Sequence, residues 1–113
     1  MDAPVAVVEM DEFLSATRKL MSDDERFALV DYLASNPSAG DLIPGAGGVR
    51  KLRWALQGRG KRGGARVIYY FHCEDVPLFA LTAYAKNQRA DLSDAERNDF
   101  KRLTKSLAET YGK

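Results

Sequence analysis

Two runs of strongly β-forming residues in the second half of the chain limit the folds that it can adopt. Residues 67–73 read Val-Ile-Tyr-Tyr-Phe-His-Cys, residues 78–85 read Leu-Phe-Ala-Leu-Thr-Ala-Tyr-Ala, and the segment Glu-Asp-Val-Pro lies between them. Branched and aromatic residues favour strands, and a short polar segment that contains proline favours a reversal of the chain. The sequence therefore predicts an antiparallel hairpin, around which the other elements must be arranged.

The first third of the chain is predicted to form a short edge strand and two helices. Residues 5–8 are Val-Ala-Val-Val, which suits an edge strand. From about Met10 the apolar residues recur at helical spacing, and residues 22–25 have the pattern of a capping box that starts a second helix. The second helix is predicted to end near residues 36–37, because the residue before a proline disfavours helical geometry. Its predicted apolar stripe consists of Phe27, Val30, Tyr32 and Leu33.

The remaining segments complete an α+β domain that spans residues 1–113. Residues 40–48 are rich in glycine and predict a loop, whereas residues 49–56 predict a strand. A second capping box at residues 93–96 starts a C-terminal helix. We therefore expect a small antiparallel sheet whose helices cover one face, while the other face stays partly open to water. The predicted apolar face of the C-terminal helix consists of Phe100, Leu103, Leu107 and Tyr111.

Positive charge is concentrated in the middle of the chain, although the net charge is only +1. Residues 1–41 carry nine acidic and three basic side chains, residues 42–73 carry seven basic and no acidic ones, and residues 74–113 carry seven of each. A solvated loop that keeps the protein soluble would explain such a segment. However, the basic residues also occupy two predicted strands, where they can converge on one sheet face and bind phosphate groups.

The cysteine and histidine content excludes several classes of protein. Cys73 is the only cysteine and His72 the only histidine, so neither an internal disulfide nor a four-ligand zinc site can form, and we expect no metal or other cofactor. No segment is apolar over the length that a bilayer requires, and the acidic N-terminus is unlike a signal peptide. We therefore expect a cytoplasmic protein without membrane contact.

Three further features have both a structural and a functional interpretation. Residues 58–63 match Gly-x-Gly-x-x-Gly, but a dinucleotide site requires this motif between a strand and a helix, and here it joins two strands. His72 is the usual candidate for proton transfer, yet it lies beside a predicted turn and is interpreted as structural or exposed. Trp54 is interpreted as a core residue, with stacking on an RNA base as the alternative.

The strand at residues 78–85 ends in a polar sequence. Tyr84 and Lys86 are two residues apart and therefore point to the same face. They either return to solvent or reach the same surface as Arg53 and Arg66. In the second case, separate strands would deliver their polar groups to one site.

Three stretches together resemble the RelE/HigB superfamily of type II toxins. They are Gly-Gly-Val-Arg-Lys-Leu-Arg at 47–53, Gly-Lys-Arg-Gly-Gly-Ala-Arg-Val-Ile-Tyr-Tyr at 60–70 and Leu-Thr-Ala-Tyr-Ala-Lys-Asn at 81–87. The combination is most similar to the HigB branch, and the predicted helices extend the resemblance over nearly the whole chain. The resemblance implies a RelE-like fold and a ribosome-dependent mRNA endonuclease. It also implies a co-expressed antitoxin, here a helix-turn-helix protein of the HigA type.

The resemblance places the site on the middle strands. By position, Lys51 and Arg53 match the basic pair of the first of these strands, Arg66 matches the arginine that opens the next, and Lys86 matches the polar residue that closes the last. Some relatives use a tyrosine near the C-terminal helix, and that role is either vacant here or falls to Tyr84. The complete prediction comprises Arg53, Arg66, Tyr84 and Lys86 as catalytic residues and Arg50, Lys51, Lys61 and Arg62 as RNA-binding residues.

RNA can be cleaved without a metal when its own 2′-hydroxyl attacks the adjacent phosphorus. Arg53 and Arg66 suit the resulting phosphorane, because a guanidinium group is planar, multidentate and always charged. Lys86 or Lys51 is a candidate for the base, and Tyr84 for the acid or an orienting group. The alternative is an inactive module of the same fold that binds only its antitoxin or RNA. A DNA-binding regulator is disfavoured because no basic recognition helix is predicted.

Overall fold

The described part of the protein contains three helices and a five-stranded sheet. The structure is a computed structural model that describes residues 3–56, 64–89 and 91–111. None of the helices in these ranges is both long and apolar enough to cross a lipid bilayer. The strands are β1 (Val7–Glu9), β2 (Asp41–Leu42), β3 (Val49–Trp54), β4 (Ala65–Tyr70) and β5 (Leu78–Ala85), and the helices are α1 (Asp11–Leu20), α2 (Asp23–Ser35) and α3 (Asp94–Tyr111).

The strands follow the order β1-β5-β4-β3-β2 across the sheet. The predicted antiparallel arrangement of β3, β4 and β5 is confirmed. β1 lies at the sheet edge as predicted, but it pairs with β5 in parallel, so the sheet is mixed. The prediction of a loop at residues 40–48 was partly wrong, because Asp41 and Leu42 form a short edge strand against β3.

Helices cover both faces of the sheet, which corrects the prediction that they cover only one. On the first face, Val67 and Tyr69 of β4 belong to a core with Phe13 of α1 and with Leu29 and Leu33 of α2. These five side chains have no measurable exposure. The two N-terminal helices therefore account for one face only.

The second face is covered by α3. Ile68 and Tyr70, which alternate with the first set along β4, are buried in another core against Phe100, Leu103 and Leu107. The predicted apolar face of α3 is thereby confirmed for these three residues, whereas its fourth member, Tyr111, is 48% exposed and lies with its ring 5.3 Å from that of Phe79. A strand that is apolar on both sides needs cover on both faces, and this requirement explains why the second face is closed over β4.

Both predicted capping boxes are present. The Glu25 amide donates to Ser22 Oγ at 3.1 Å, and the Ser22 amide donates to Glu25 Oε1 at 3.0 Å. The same exchange joins Ser93 and Glu96 at the start of α3, at 3.2 and 2.9 Å. Capping boxes satisfy backbone amides that have no partner within the helix, so these residues determine where α2 and α3 begin.

The predicted apolar stripe of α2 is partly wrong. The helix buries Leu29 and Leu33, whereas Phe27 is 56% exposed and Tyr32 is 39% exposed. Residues four positions apart lie on the same helix face, so Leu29 and Leu33 form the side that contacts the sheet. Phe27 lies outside this face and packs instead beneath the guanidinium of Arg26, 4.8 Å from its ring centre.

Candidate active site

Arg53 and Arg66 lie directly opposite each other on β3 and β4. Their Cα atoms are partners in the strand register, and Arg66 is in turn the partner of Tyr84 on β5. Direct cross-strand partners present their side chains on the same face of a sheet. Like charges in this arrangement destabilise the sheet, and an anion bound between them would remove that cost. The two arginines therefore form a surface suited to binding an anion.

Carboxylates within the described residues do not neutralise these two arginines. Arg66 donates from Nη1 to the Ala65 carbonyl at 3.3 Å. Its guanidinium lies beside Gly64, where a Cβ atom would be 3.7 Å from Nη1. Arg53 is exposed and forms no ion pair with a described residue. Both positive charges are thus available to a ligand.

Tyr84 places a buried hydroxyl next to this pair. The residue is only 7% exposed, and its hydroxyl has no hydrogen-bond partner among the described residues. The guanidinium of Arg89 lies over the ring, 4.8 Å from its centre. Burial raises the pKa of Tyr84 above its usual value, Asp91 raises it further, and Arg89 and Arg66 oppose the rise. At neutral pH the hydroxyl is therefore protonated and able to donate.

Lys51 lies beside Arg53 and Arg66, and these three residues form the basic surface of the sheet. Lys51 is two residues from Arg53 and therefore on the same face. Its Nζ lies 3.6 Å from Oδ1 of Asp91, while Nη2 of Arg97 lies 3.2 Å from Oδ2. The Leu92 amide donates to Oδ1 at 2.8 Å, and this bond, together with Lys51 and Arg97, lowers the pKa of Asp91. One carboxylate is thus held between two cations from different elements.

Arg89 links Tyr84 to the start of α3. It forms a bidentate ion pair with Glu96, in which Nη1 lies 3.0 Å from Oε2. It also donates from Nη2 to the Asp91 carbonyl at 3.1 Å. Because its guanidinium covers the Tyr84 ring, Arg89 lies at the end of the basic surface.

The structure brings several of the predicted site residues together. Lys51, Arg53, Arg66 and Tyr84 share one sheet face at the end of β5. Lys86 is exposed just beyond β5, and its amide donates to the Gly64 carbonyl at 3.0 Å. It therefore lies at the same end of the sheet as Arg66. The catalytic roles of these residues stay predictions.

Other predicted residues are not brought to this face. Arg50 alternates with Lys51 and faces the opposite side, where its Nη1 donates to the carbonyls of Ser38 and Gly40 at 3.3 and 2.7 Å. The predicted RNA-binding residues Lys61 and Arg62 lie outside the described residues.

The structure also shows where Trp54 and His72 lie, for which the sequence allowed both a structural and a functional role. Trp54 is half-buried against the first core, 5.5 Å from the Tyr32 ring, on the face opposite Arg53. This position agrees with the core interpretation. His72 is exposed after the end of β4, with its ring 6.5 Å from that of Tyr70.

A family model described as "RelE toxin of RelE / RelB toxin-antitoxin system" matches residues 8–113. The chain belongs to this RelE toxin family. The predicted family resemblance is thereby confirmed at the level of the superfamily. A RelE-family toxin is one component of a toxin-antitoxin system, so an antitoxin is its partner.

Sequence reasoning missed three charged residues in the site of this RelE-family toxin. Asp91, Glu96 and Arg97 surround the start of α3 and contact the basic surface or Arg89. The capping box located Glu96 in the sequence, but only as a helix-starting residue. No local pattern indicated that Asp91 would reach Lys51, because the two are 40 positions apart in the chain.

The pair of Arg89 and Glu96 predicts an acid-sensitive contribution to stability. The hydrogen bond from Arg89, with the Ser93 amide, lowers the pKa of Glu96 from 4.5 to about 2. Between these values the unfolded chain binds a proton that the folded chain does not, so stability falls as pH falls through this window. Because both side chains are 37% exposed, solvent screening limits the loss to about 1 kcal/mol or less.

Urea unfolding of the wild type and of Glu96→Gln at about pH 7 and about pH 3 would measure this contribution. The Gln variant should be less stable at the higher pH and should lose less stability at the lower pH. Glu109→Gln is the matched control, since Glu109 is an exposed residue of the same helix. Equal pH sensitivity in all three proteins would contradict the assignment.

Proposed function

We propose that this RelE-family toxin is a metal-independent endoribonuclease of the HigB type that cleaves mRNA on translating ribosomes. The observation that carries the proposal is the pairing of Arg53 with Arg66 and of Arg66 with Tyr84 across three strands. This pairing joins two guanidinium groups that have no ion-pair partner, and a protonated hydroxyl that has no hydrogen-bond partner, in the part of the chain that the structure describes. These groups suit a phosphodiester, and membership of a toxin family supports RNA as the ligand.

In the proposed reaction, the 2′-hydroxyl of the substrate attacks the adjacent phosphorus and the bond to the 5′-oxygen breaks. The products are a 2′,3′-cyclic phosphate and a 5′-hydroxyl. Arg53 and Arg66 bind the non-bridging oxygens, whose negative charge increases in the transition state. Such preorganised donors stabilise the transition state more than the ground state.

Proton transfer is assigned to the remaining residues of the site. Tyr84 is protonated at neutral pH and can donate toward the departing 5′-oxygen. Its hydroxyl is enclosed in the unbound protein, so neighbouring side chains must move for the substrate to reach it. Lys86, in its neutral form, is the candidate acceptor of the 2′-proton, because it is exposed just beyond β5 and forms no ion pair with a described residue.

The proposed partners follow from this activity. Ribosomes present mRNA in the cytoplasm, which is the proposed site of action. The antitoxin that neutralises the toxin is proposed to be a helix-turn-helix protein of the HigA type. It would act either by covering the basic surface or by blocking entry into the ribosome.

The proposal is tested by adding the purified toxin to a translation extract and mapping RNA ends by primer extension. We expect cleavage within translated mRNA, with no cleavage of the same RNA when ribosomes are omitted. The upstream fragments should carry 2′,3′-cyclic phosphate, the product of attack by the 2′-hydroxyl. Cleavage of free RNA at the same rate would contradict ribosome dependence, whereas a folded protein that cuts nothing would support the inactive binding module.

A further inference from the structure

We propose that Lys51 and Arg97 form a second phosphate-binding position, which the Asp91 carboxylate occupies until RNA binds. The inference rests on the proposed function and deepens it, since the ligand is an RNA phosphodiester next to the one that is cleaved. Lys51 lies two residues from Arg53 on the same face of β3, which is about 7 Å along the strand. This distance is of the same order as one nucleotide step.

The first observation is that Asp91 bridges two cations. Lys51 Nζ approaches one carboxylate oxygen at 3.6 Å and Arg97 Nη2 approaches the other at 3.2 Å. The lysine comes from β3 and the arginine from the first turns of α3. Their separation therefore fits one small anion with two oxygens, a geometry that a phosphodiester shares with a carboxylate.

The second observation is that donors around this position lack acceptors. Nε of Arg97 and the hydroxyl of Tyr84 are both enclosed and have no hydrogen-bond partner among the described residues. Tyr84 is more than nine-tenths buried, and enclosed polar groups without a partner destabilise a protein. A phosphodiester offers more acceptor oxygens than a carboxylate, so RNA can satisfy donors that Asp91 leaves unpaired.

The third observation is that the carboxylate can be exchanged. The Asp91 side chain is 45% exposed, and those of Lys51 and Arg97 are 26% and 29% exposed. Ion pairs with this much solvent contact are weak, so a phosphate can displace the carboxylate without unfolding the segment between β5 and α3. Until then, Asp91 lowers the attraction of the basic surface for other polyanions.

The experiment compares Asp91→Asn with Asp94→Asn. Asparagine keeps the Oδ1 atom that accepts from Leu92, so the local turn is preserved. Asp94 is exposed in the first turn of α3 and forms no ion pair with a described residue, so its variant removes the same charge without freeing Lys51 or Arg97. The probe is a short fluorescein-labelled 2′-O-methyl RNA, which cannot be cleaved, and binding is measured by anisotropy over a series of salt concentrations.

We expect Asp91→Asn to bind the probe about threefold to fivefold more tightly than the wild type at low salt. The slope of log affinity against log salt should change by less than about 0.7, the value for one phosphate contact on a single strand, because both proteins make the same contact once RNA is bound. Asp94→Asn should show a smaller gain in affinity. Weaker binding by Asp91→Asn, or binding equal to that of Asp94→Asn, would overturn the inference.

Arg97→Gln provides a second test that does not require an altered Asp91. It should bind the probe more weakly and with a shallower salt slope than Arg102→Gln, a control on the exposed face of the same helix. In the Arg97→Gln background, Asp91→Asn should no longer improve binding by the same factor. Equal affinities of the Arg97 and Arg102 variants would overturn the inference.

Cleavage on ribosomes separates this inference from the proposed function. If Asp91→Asn binds the probe more tightly but neither it nor the wild type cleaves mRNA, the second phosphate position stands and the nuclease proposal fails. If the wild type cleaves mRNA but Asp91→Asn gains no affinity, the nuclease proposal stands and the second phosphate position fails.

Discussion

Replacing Arg66 with alanine is expected to lower the rate of mRNA cleavage about 100- to 1000-fold. Arg66 is the central member of the three-strand row, with Arg53 opposite on one side and Tyr84 on the other. Its guanidinium has no carboxylate partner among the described residues, so its removal leaves no buried negative charge. Removing one of two opposed positive charges should also leave the folded state as stable as before, or slightly more stable.

The measurement is the rate of appearance of cleaved mRNA on translating ribosomes, with the thermal unfolding midpoint measured on the same preparations. Arg18→Ala is the matched control, because Arg18 is an exposed residue of α1, on the other side of the sheet. It should retain wild-type cleavage. Cleavage by Arg66→Ala within a few-fold of the wild type would remove the basis of the proposed mechanism.

Replacing Gly47 with alanine is expected to lower the free energy of unfolding more than the same replacement at Gly45. Gly47 has φ +72°, and a Cβ atom there would lie 2.5 Å from Thr104 Oγ1 and 3.0 Å from Lys101 Cα. Both contacts are with α3, and Thr104 is only 2% exposed. Relief of this overlap requires α3 to shift away from the loop before β3, which should cost about 1–3 kcal/mol beyond the backbone strain.

A comparison with Gly45→Ala separates the overlap with α3 from the backbone strain of a positive φ. Gly45 has nearly the same φ, +75°, but nothing lies within 4 Å of the position that a Cβ atom would take there. Both substitutions therefore share the cost of a left-handed alanine, about 1–2 kcal/mol, and the same change in the unfolded chain. Urea unfolding should show the larger loss for Gly47→Ala. Equal losses would mean that α3 is not closely docked at this loop.

The Gly47→Ala substitution should also affect RNA binding. Because α3 carries Arg97, its displacement should weaken RNA binding by Gly47→Ala at temperatures where the variant is still folded. Gly45→Ala should bind RNA as the wild type does.

Local patterns were sufficient to predict most elements of the fold. The limits of β5 at residues 78–85 and the starts of α2 and α3 follow from β-forming runs and capping boxes, which depend on neighbours within a few residues. The number of covered sheet faces was predicted wrongly. In β4 the run Val-Ile-Tyr-Tyr is apolar at every position, and a continuous apolar run is typical of a strand that is buried on both sides.

The error in α2 has a similar origin. Phe27 and Tyr32 carry large and mainly apolar side chains, as do Leu29 and Leu33. The local sequence of α2 therefore does not indicate which side of the helix contacts the sheet. Only the docking of α2 on the first core selects Leu29 and Leu33. The parallel pairing of β1 with β5 was missed for the same reason, since about 70 residues separate the two strands.

The sequence by itself determined the order and ends of most elements, the concentration of positive charge in the middle strands and the resemblance to RelE-family toxins. These properties depend on residue types and short spacings. Only the tertiary structure decided that Arg53, Arg66 and Tyr84 form one row and that Asp91 lies between Lys51 and Arg97. Contacts of this kind depend on strand register and helix docking, which join segments that are distant in the chain.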